Sequence, residues 1–340
     1  MPLQPTDIPK VAEEAKQNRI KSSSTSDQPL IVLVGPTASG KTTLALALAE
    51  QFSGEIVSCD SVAVYRGMEI GTAKPTVAER ERVPHHLIDV FPPDAPCTAG
   101  DYSRLAREAI RGIAQRNCLP IVAGGTGLYL RALLDGLFPA PPCREELREK
   151  LRQRALLHGS KRLHRILTRL DPAAAGLIHA NDTSKIIRAI EVTLAAREPI
   201  THQWDQPRDL LTGFRVLRLG LNPPRAELYN RINCRAAHMF DPPDQGGGLV
   251  EETAQIIARY GEKCRPLASL GYVQAVALLR GETKRVQAIA QAQQGHRNYA
   301  KRQLTWFRKD PAIQWLPGFG SDNEIMQQAS ALVVQHINTQ

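Results

Sequence analysis

Residues 35–42 read Gly35-Pro36-Thr37-Ala38-Ser39-Gly40-Lys41-Thr42 and fit the pattern G-x-x-x-x-G-K-[ST]. Glycines at these places let a loop wrap closely enough for its N–H groups to converge on phosphate oxygens. The helix predicted to follow, over residues 42–51, points its positive dipole end at the same spot. Lys41 supplies a mobile cation, and the Thr42 hydroxyl can hold a magnesium ion that bridges phosphates. The pattern predicts a phosphate-bearing substrate without saying which one. ATP or GTP is the usual occupant, so a small-molecule kinase is the natural competitor. Against a switch-type hydrolase, the chain has no clear strand ending in acidic residues and no guanine-reading motif.

Asp60 directly follows a second predicted strand, residues 55–58. In a parallel sheet it would stand at the carboxyl edge beside the phosphate loop, where ligands bind. A carboxylate there can act as a general base, hold magnesium, or cap the next turn.

These groups need a scaffold, and the hydrophobic pattern supplies one. Residues 30–34 are a short β-branched run ending at a glycine, hence a buried strand. A helix over residues 98–116 leads to a third strand at 119–123, and Gly124-Gly125-Thr126-Gly127 turns into another helix. Residues 66–97 read as loop-rich. Strand and helix alternating at this spacing predict βαβ units and a parallel sheet. After Pro139-Ala140-Pro141-Pro142 the pattern becomes helical and basic, residues 214–221 return as a strand, and the remainder is mostly helical. The predicted fold is α/β: a P-loop NTPase-like parallel sheet core with a helical insertion subdomain and a mostly helical C-terminal part. Its divisions are a disordered Ser-rich leader (1–28), the core (29–142 and 212–340) and the insertion (143–211).

The net charge is +9, a balance that favours polyanions such as nucleic acid. Its distribution says more. Residues 284–309 carry seven Lys or Arg and no acid, and residues 143–170 carry nine Lys or Arg against three Glu. Six cysteines without a Cys-x-x-Cys pair argue against a zinc site or a disulfide framework. No apolar run suits a signal peptide or a bilayer span, which predicts a cytoplasmic protein with no membrane partner. The lack of long heptads or an apolar stripe points to a monomer.

Four longer motifs carry a resemblance. They are Asp60-Ser61-Val62-Ala63-Val64-Tyr65-Arg66-Gly67-Met68-Glu69-Ile70-Gly71-Thr72-Ala73-Lys74-Pro75, Val83-Pro84-His85-His86-Leu87-Ile88-Asp89, Gly124-Gly125-Thr126-Gly127-Leu128-Tyr129, and Tyr299-Ala300-Lys301-Arg302-Gln303-Leu304-Thr305-Trp306-Phe307-Arg308. Together, in this order over residues 30–310, they resemble the tRNA dimethylallyltransferase family of bacterial type. Ala63 departs from the pattern, since many members carry glutamine there, which bears on one side-chain contact to the target base.

The resemblance implies that residues 35–42 hold the diphosphate of dimethylallyl diphosphate, with magnesium at Thr42. The N6 amine of the adenosine 3′ of the anticodon, in tRNAs reading U-initial codons, would then displace pyrophosphate. Asp60 is implied as the base, Lys41 as a stabiliser of the leaving group, and Thr126 as a channel residue that bonds the amine or a diphosphate oxygen. Read locally, Thr126 caps the following helix. Arg225 and Arg231 share a segment resembling one with a pyrophosphate-binding arginine, and either could be that residue. His85 and His86, without a further metal ligand nearby, read as structural.

The tRNA anticodon stem-loop is the implied partner. Implied contacts are Asp60, Ser61, Val62 and Ala63; Ser184, Lys185, Ile186, Ile187 and Arg188; Ala268, Ser269, Leu270, Gly271, Tyr272 and Val273; and Lys301, Arg302, Gln303, Leu304, Thr305, Trp306, Phe307 and Arg308. Extruding a base needs edge contacts and stacking planes, which aromatics among cations can supply. On a helix, Arg302, Trp306 and Lys309 share one face; Trp306 and Phe307 could equally anchor that helix in the core. The competing readings are a kinase, a non-catalytic RNA-binding protein, and a prenyltransferase for free adenine nucleotides.

Overall fold

The computed structural model describes residues 27–241 and 248–339. The predicted leader lies outside these residues up to position 26; Gln28 already belongs to the first strand.

The chain runs β1 (Gln28–Val34), α1 (Lys41–Phe52), β2 (Gly54–Cys59), α2 (Val77–Arg82), β3 (His85–His86), α3 (Ala99–Gln115), β4 (Leu119–Gly124) and α4 (Gly127–Leu134). Five helices follow: α5 (Glu145–His158), α6 (Ser160–Leu170), α7 (Pro172–Leu177), α8 (Thr183–Ala196) and α9 (Ile200–Trp204). The chain then continues through β5 (Phe214–Leu221), α10 (Arg225–Phe240), α11 (Leu249–Tyr260), a 3-10 turn (Arg265–Ala268), α12 (Tyr272–Leu279), α13 (Arg285–Phe307), β6 (Ile313–Leu316) and α14 (Asn323–Asn338). It forms two compact units, one from the chain up to Leu134 and again from Leu211, the other Asp135–Leu210.

In the first unit six strands form one sheet in the order β3-β2-β4-β1-β5-β6, every neighbouring pair parallel. A parallel sheet must be covered on both faces, and β1 shows how. Leu30, Val32 and Val34 enter the cluster with Tyr102, Ile110 and Leu133 of α3 and α4, while Ile31 and Leu33 enter the opposite cluster with Leu44, Leu48 and Val333 of α1 and α14. The result is the predicted α/β architecture. Because β2, β4 and β1 are adjacent and parallel, the loops leaving them emerge together, spaced by about 5 Å per strand.

Two parts differ from the sequence reading. The C-terminal part, read as mostly helical, contributes β6, paired with β5 from Arg218↔Ile313 to Leu221↔Leu316. Only Ile313 and Leu316 of its four residues are buried, too few to make a periodic signal. The stretch read as loop-rich holds α2 and the two-residue β3. The box Thr76-x-x-Glu79 that starts α2 is present in full, with Thr76 Oγ1 accepting from Glu79 N and Glu79 accepting from Thr76 N.

The second unit packs α5–α9 around Leu151, Leu163, Leu167, Ile186 and Ile190. At its centre the fully buried Glu191 accepts from Arg148 Nε (2.9 Å), Arg188 Nη1 (2.7 Å) and the Arg144 amide (2.7 Å). These donors hold its carboxyl below the usual range against the opposing effect of burial. Arg148 and Arg188 keep 20% and 33% exposure and can turn to water once the carboxylate is gone, so its loss costs about 1.5–3 kcal/mol, the range for hydrogen bonds to a charged group. Urea unfolding should therefore show a loss of this order for Glu191→Ala at neutral pH. The lowered carboxyl pKa makes its contribution present above the unfolded value and lost as acid protonates it, so the deficit should shrink at low pH.

Candidate active site

The phosphate loop leaves β1 and enters α1 through Gly40, whose φ of 86° is left-handed; a Cβ there would also stand 2.9 Å from the Gly320 amide. Residues 37–42 form one wall of a cavity of about 400 Å³. Asp60 after β2, Gly124 and Gly125 at the end of β4, Arg231 and Arg235 of α10, and Tyr299 and Gln303 of α13 also line it, with residues 72–75 and His85 among the others. Thr42 opens into this space, and Ser39 Oγ is buried with no partner among the described residues, a hydroxyl that a phosphate oxygen would satisfy.

Lys41 Nζ donates to Gly35 O (3.0 Å) and Pro36 O (2.7 Å) of its own loop. Burial, aided by the neighbouring Arg235 and opposed by Asp60, lowers its pKa to about 7. An anionic diphosphate favours the charged amine, so the bound pKa must lie above the free one. Lys41 should accordingly strengthen diphosphate binding fully below pH 7, and progressively less as pH rises from 7 towards the bound value. Calorimetry of pyrophosphate binding at pH 8, in buffers of low and high ionisation enthalpy, should reveal proton uptake that Lys41→Met loses. Equal uptake by both proteins would contradict this.

Asp60 divides its two oxygens. Oδ1 accepts from the amides of Val62 (2.8 Å) and Ala63 (3.1 Å), the capping role; Oδ2 has no partner among the described residues. Burial, with the Asp60 charge nearby, pushes the Tyr299 phenol up to about 12, so it remains a donor at neutral pH.

Gln303 reaches 5% exposure on the inner face of α13. Its Oε1 accepts from the Thr37 amide of the phosphate loop (2.8 Å), and its Nε2 donates to Gly125 O after β4 (3.0 Å). A Cβ at Gly125 would lie 2.1 Å from that Nε2, so only glycine admits the contact. Thr126 ties that same loop after β4 to the one after β2: its Oγ1 accepts from the Ser61 amide (3.1 Å), and its own amide donates to Cys59 O (3.2 Å). Three loops from three strands are thus tied around one cavity by two short polar side chains.

The IPP transferase family model matches residues 63–310, and an isopentenyl transferase model matches residues 28–89. A tRNA dimethylallyltransferase of Koribacter versatilis is 62% identical over 308 residues, 91% of this chain and 99% of the relative. The chain belongs to the IPP transferase family. A second tRNA dimethylallyltransferase, from Solibacter usitatus, is 48% identical over 310 residues, 91% of this chain and 99% of that relative. The structure of the tRNA isopentenylpyrophosphate transferase of Bacillus halodurans matches with a TM-score of 0.66 at 34% identity, covering 91% of this chain and 97% of that one. A eukaryotic dimethylallyltransferase that acts on tRNA shares the fold, with a TM-score of 0.72 at 24% identity over 87% of this chain and 75% of that one.

In this member of the IPP transferase family, the arginines divide. Arg231 lines the cavity, with its guanidinium 3.5 Å above the Phe319 ring and Nη1 donating to Ser321 Oγ (3.2 Å). Arg225 does not line it; its guanidinium lies 5.0 Å from the Tyr229 ring. Arg235, a residue outside the sequence candidates, lines the cavity and donates to Thr37 Oγ1 (2.5 Å). Its signal was its place four residues after Arg231 on one helix face.

The segments expected to meet RNA present only some of their side chains. On α13, Lys301, Arg302, Thr305, Trp306 and Arg308 at its end are exposed, Leu304 is half-buried, and Gln303 and Phe307 are buried. Trp306 is 43% exposed and packs on Gly127, while Phe307 anchors the helix. Ser61 and Val62 are half-buried, and Ala63 lines the cavity. Tyr272 is fully buried with its hydroxyl donating to Glu252 (2.6 Å), and Gly271 is buried beside it; Ala268 and Val273 stay exposed, Ser269 and Leu270 half-buried. In the second unit Ile186 and Ile187 lie in the core and Arg188 serves Glu191, which leaves Ser184 and Lys185 exposed. His86 Nε2 meets Glu55 (2.7 Å) and His85 Nδ1 meets Val83 O (2.7 Å), but His85 lines the cavity and its Nε2 is buried with no partner among the described residues.

Proposed function

We propose that the chain transfers the dimethylallyl group of dimethylallyl diphosphate to the N6 amine of the adenosine 3′ of the anticodon, in tRNAs that read U-initial codons. The products are N6-isopentenyladenosine and pyrophosphate. The activity is that named for the relatives; the observation carrying this site assignment is the unpartnered Asp60 Oδ2 in the cavity built on the phosphate loop.

The amine nitrogen attacks the allylic carbon as the carbon–oxygen bond to the diphosphate breaks, and the bond's electron pair leaves with pyrophosphate. Asp60 Oδ2 takes the N6 proton. Charge gathers on the leaving group, where Lys41, Arg235, Arg231, Ser39 and the loop amides are the available donors and cations. Thr42 would hold magnesium beside the diphosphate, since among the described residues no group of three His, Cys, Asp or Glu could hold a metal by itself. When bound, that ion would neutralise diphosphate charge. Thr126 orders the loops through Ser61, and Tyr299 offers a neutral donor beside Asp60.

RNA binding is supported by the exposed cations of α13, and the site is read as cytoplasmic and monomeric. Among the described residues no helix is long and apolar enough to cross a membrane. Incubating the protein with dimethylallyl diphosphate, magnesium and an unmodified tRNA for U-initial codons should yield N6-isopentenyladenosine in the nuclease digest by mass spectrometry. Folded protein that binds the RNA yet leaves that adenosine unchanged would overturn the assignment.

A further inference from the structure

The stretch between Met68 and α2 supplies Thr72, Ala73, Lys74 and Pro75 to the cavity. It belongs to no helix or strand, and Ala73 takes a left-handed φ of 48°. A residue with a Cβ keeps that conformation only where its surroundings impose it. Here they come from far along the chain. Glu252 of α11, 8% exposed, turns its carboxylate onto three consecutive amides. Oε2 accepts from Glu69 N and Ile70 N (2.8 Å each), and Oε1 from Gly71 N (3.3 Å). Oε1 also accepts from the hydroxyl of Tyr272 (2.6 Å), the first residue of α12. None of these four donors is a cation, so the buried carboxylate spends its charge on ordering the loop. The Tyr272 ring packs on the same turn, since a Cβ at Gly71 would lie 2.3 Å from it. The anchor passes directly to the cavity residues: Ala73 N donates to Ile70 O (3.1 Å) and Lys74 N to Glu69 O (3.3 Å).

The place of this wall decides what it meets. The phosphate loop follows β1, and Arg235 reaches it through Thr37, so the diphosphate belongs to the β1 end of the cavity. Residues 72–75 are tied to the β3 end instead. Lys74 Nζ donates to Tyr65 O (2.7 Å) and to Asp89 Oδ1 (2.5 Å), three residues past β3. Three strand spacings, about 14 Å, separate β3 from β1. The lining at this end includes Ile56, Ala63, Ala73, Pro75 and Ile88. Its ammonium, that of Lys74, is consumed by Glu69 and Asp89, and burial lowers the pKa of His85 so that the ring is neutral at pH 7. An uncharged apolar group suits such an end, and the tail of a prenyl diphosphate is one.

We propose that Glu252 is a positioning residue that sets the prenyl chain length: it holds residues 72–75 as the wall where the tail of the donor stops, and Tyr272 orients the carboxylate that does so. The inference rests on the transferase reading of this cavity. It also gives Tyr272 a task inside the protein, in a segment whose resemblance implied RNA contact.

The test uses the full chain, magnesium and an anticodon stem-loop RNA, with either dimethylallyl diphosphate or the longer geranyl diphosphate as donor. Glu252→Gln keeps one acceptor oxygen but sets an NH2 group against the amides, which loosens the wall. The ratio of kcat/KM for geranyl to that for dimethylallyl diphosphate should rise about tenfold over wild type. Tyr272→Phe keeps the ring and loses only the hydroxyl, so it should move the ratio the same way by a smaller factor. Hydrogen exchange at the amides of Glu69, Ile70 and Gly71 should quicken in both variants. The Kd values for pyrophosphate and for the stem-loop should stay within about twofold, because both are bound away from the loosened turn. A purely structural role would lower Tm and leave the donor ratio alone. Variants with the wild-type ratio overturn the assignment whether or not the amides exchange faster, and weakened RNA binding by Tyr272→Phe would return that residue to the RNA face. Should Glu252→Gln fail to fold, Tyr272→Phe carries the same comparison. Wild-type protein that prenylates no stem-loop with dimethylallyl diphosphate sinks the transfer reading itself.

Discussion

An Asp60→Asn protein is expected to fold, bind both substrates and turn over about 10²–10⁴-fold more slowly. The reason lies in the division of labour between the two carboxyl oxygens. Asparagine keeps an oxygen in the place of Oδ1 that can accept from the Val62 and Ala63 amides, so the turn survives. What it removes is the group that takes the proton at Oδ2. Asp60→Ala removes both, and should lose stability as well, since two amides are left without an acceptor. Single-turnover rates with saturating RNA and prenyl donor separate the two: both variants should be slow, and only the alanine protein should melt earlier. A wild-type single-turnover rate in Asp60→Asn would remove Asp60 from the chemistry.

Gln303→Leu should produce the other large effect, and on the prenyl donor, not on the RNA. Leucine fills the space but leaves the Thr37 amide and the Gly125 carbonyl buried without partners, each a cost of about 1–3 kcal/mol. The loops after β1 and β4 can relieve that cost only by moving, and a displacement of about 1 Å at a reacting geometry can cost around 10²-fold. Steady-state assays should show kcat/KM for dimethylallyl diphosphate falling by about that factor, with the Kd for stem-loop RNA within about twofold of wild type. Gln303→Glu gives the second reading. It still accepts from Thr37 but sets a carboxylate oxygen against Gly125 O, so it should fall between wild type and Leu. If Gln303 were an RNA contact, both substitutions would weaken RNA binding and leave the donor untouched.

The contrast between Asp60 and Gln303 shows what a sequence can disclose here. Gly35, Gly40, Lys41 and Thr42 are legible because backbone amides and a helix start do the binding, and those are encoded within eight consecutive residues. Asp60 is legible because a strand end in a parallel sheet fixes which edge it occupies. Gln303 sits among cations and aromatics and so reads as part of an RNA face. Which way it points is decided by how α13 packs, and its partner Thr37 is 266 residues away. The same holds for Tyr272, whose burial against Glu252 depends on α11. Arg225 and Arg235 differ for an equally simple reason: ten residues of helix carry the second into the cavity, which the first does not line. The short strand β6 escaped notice because its two buried residues have no periodicity of their own.

This phosphate loop should serve a prenyl diphosphate and not a nucleotide. Titrating the wild-type protein calorimetrically with dimethylallyl diphosphate in the presence of magnesium, with and without saturating ATP, tests it most directly. The prenyl diphosphate should bind one-to-one, with binding lost in Lys41→Met and little affected by ATP. Tight ATP binding that excludes the prenyl diphosphate would contradict it and point to a kinase.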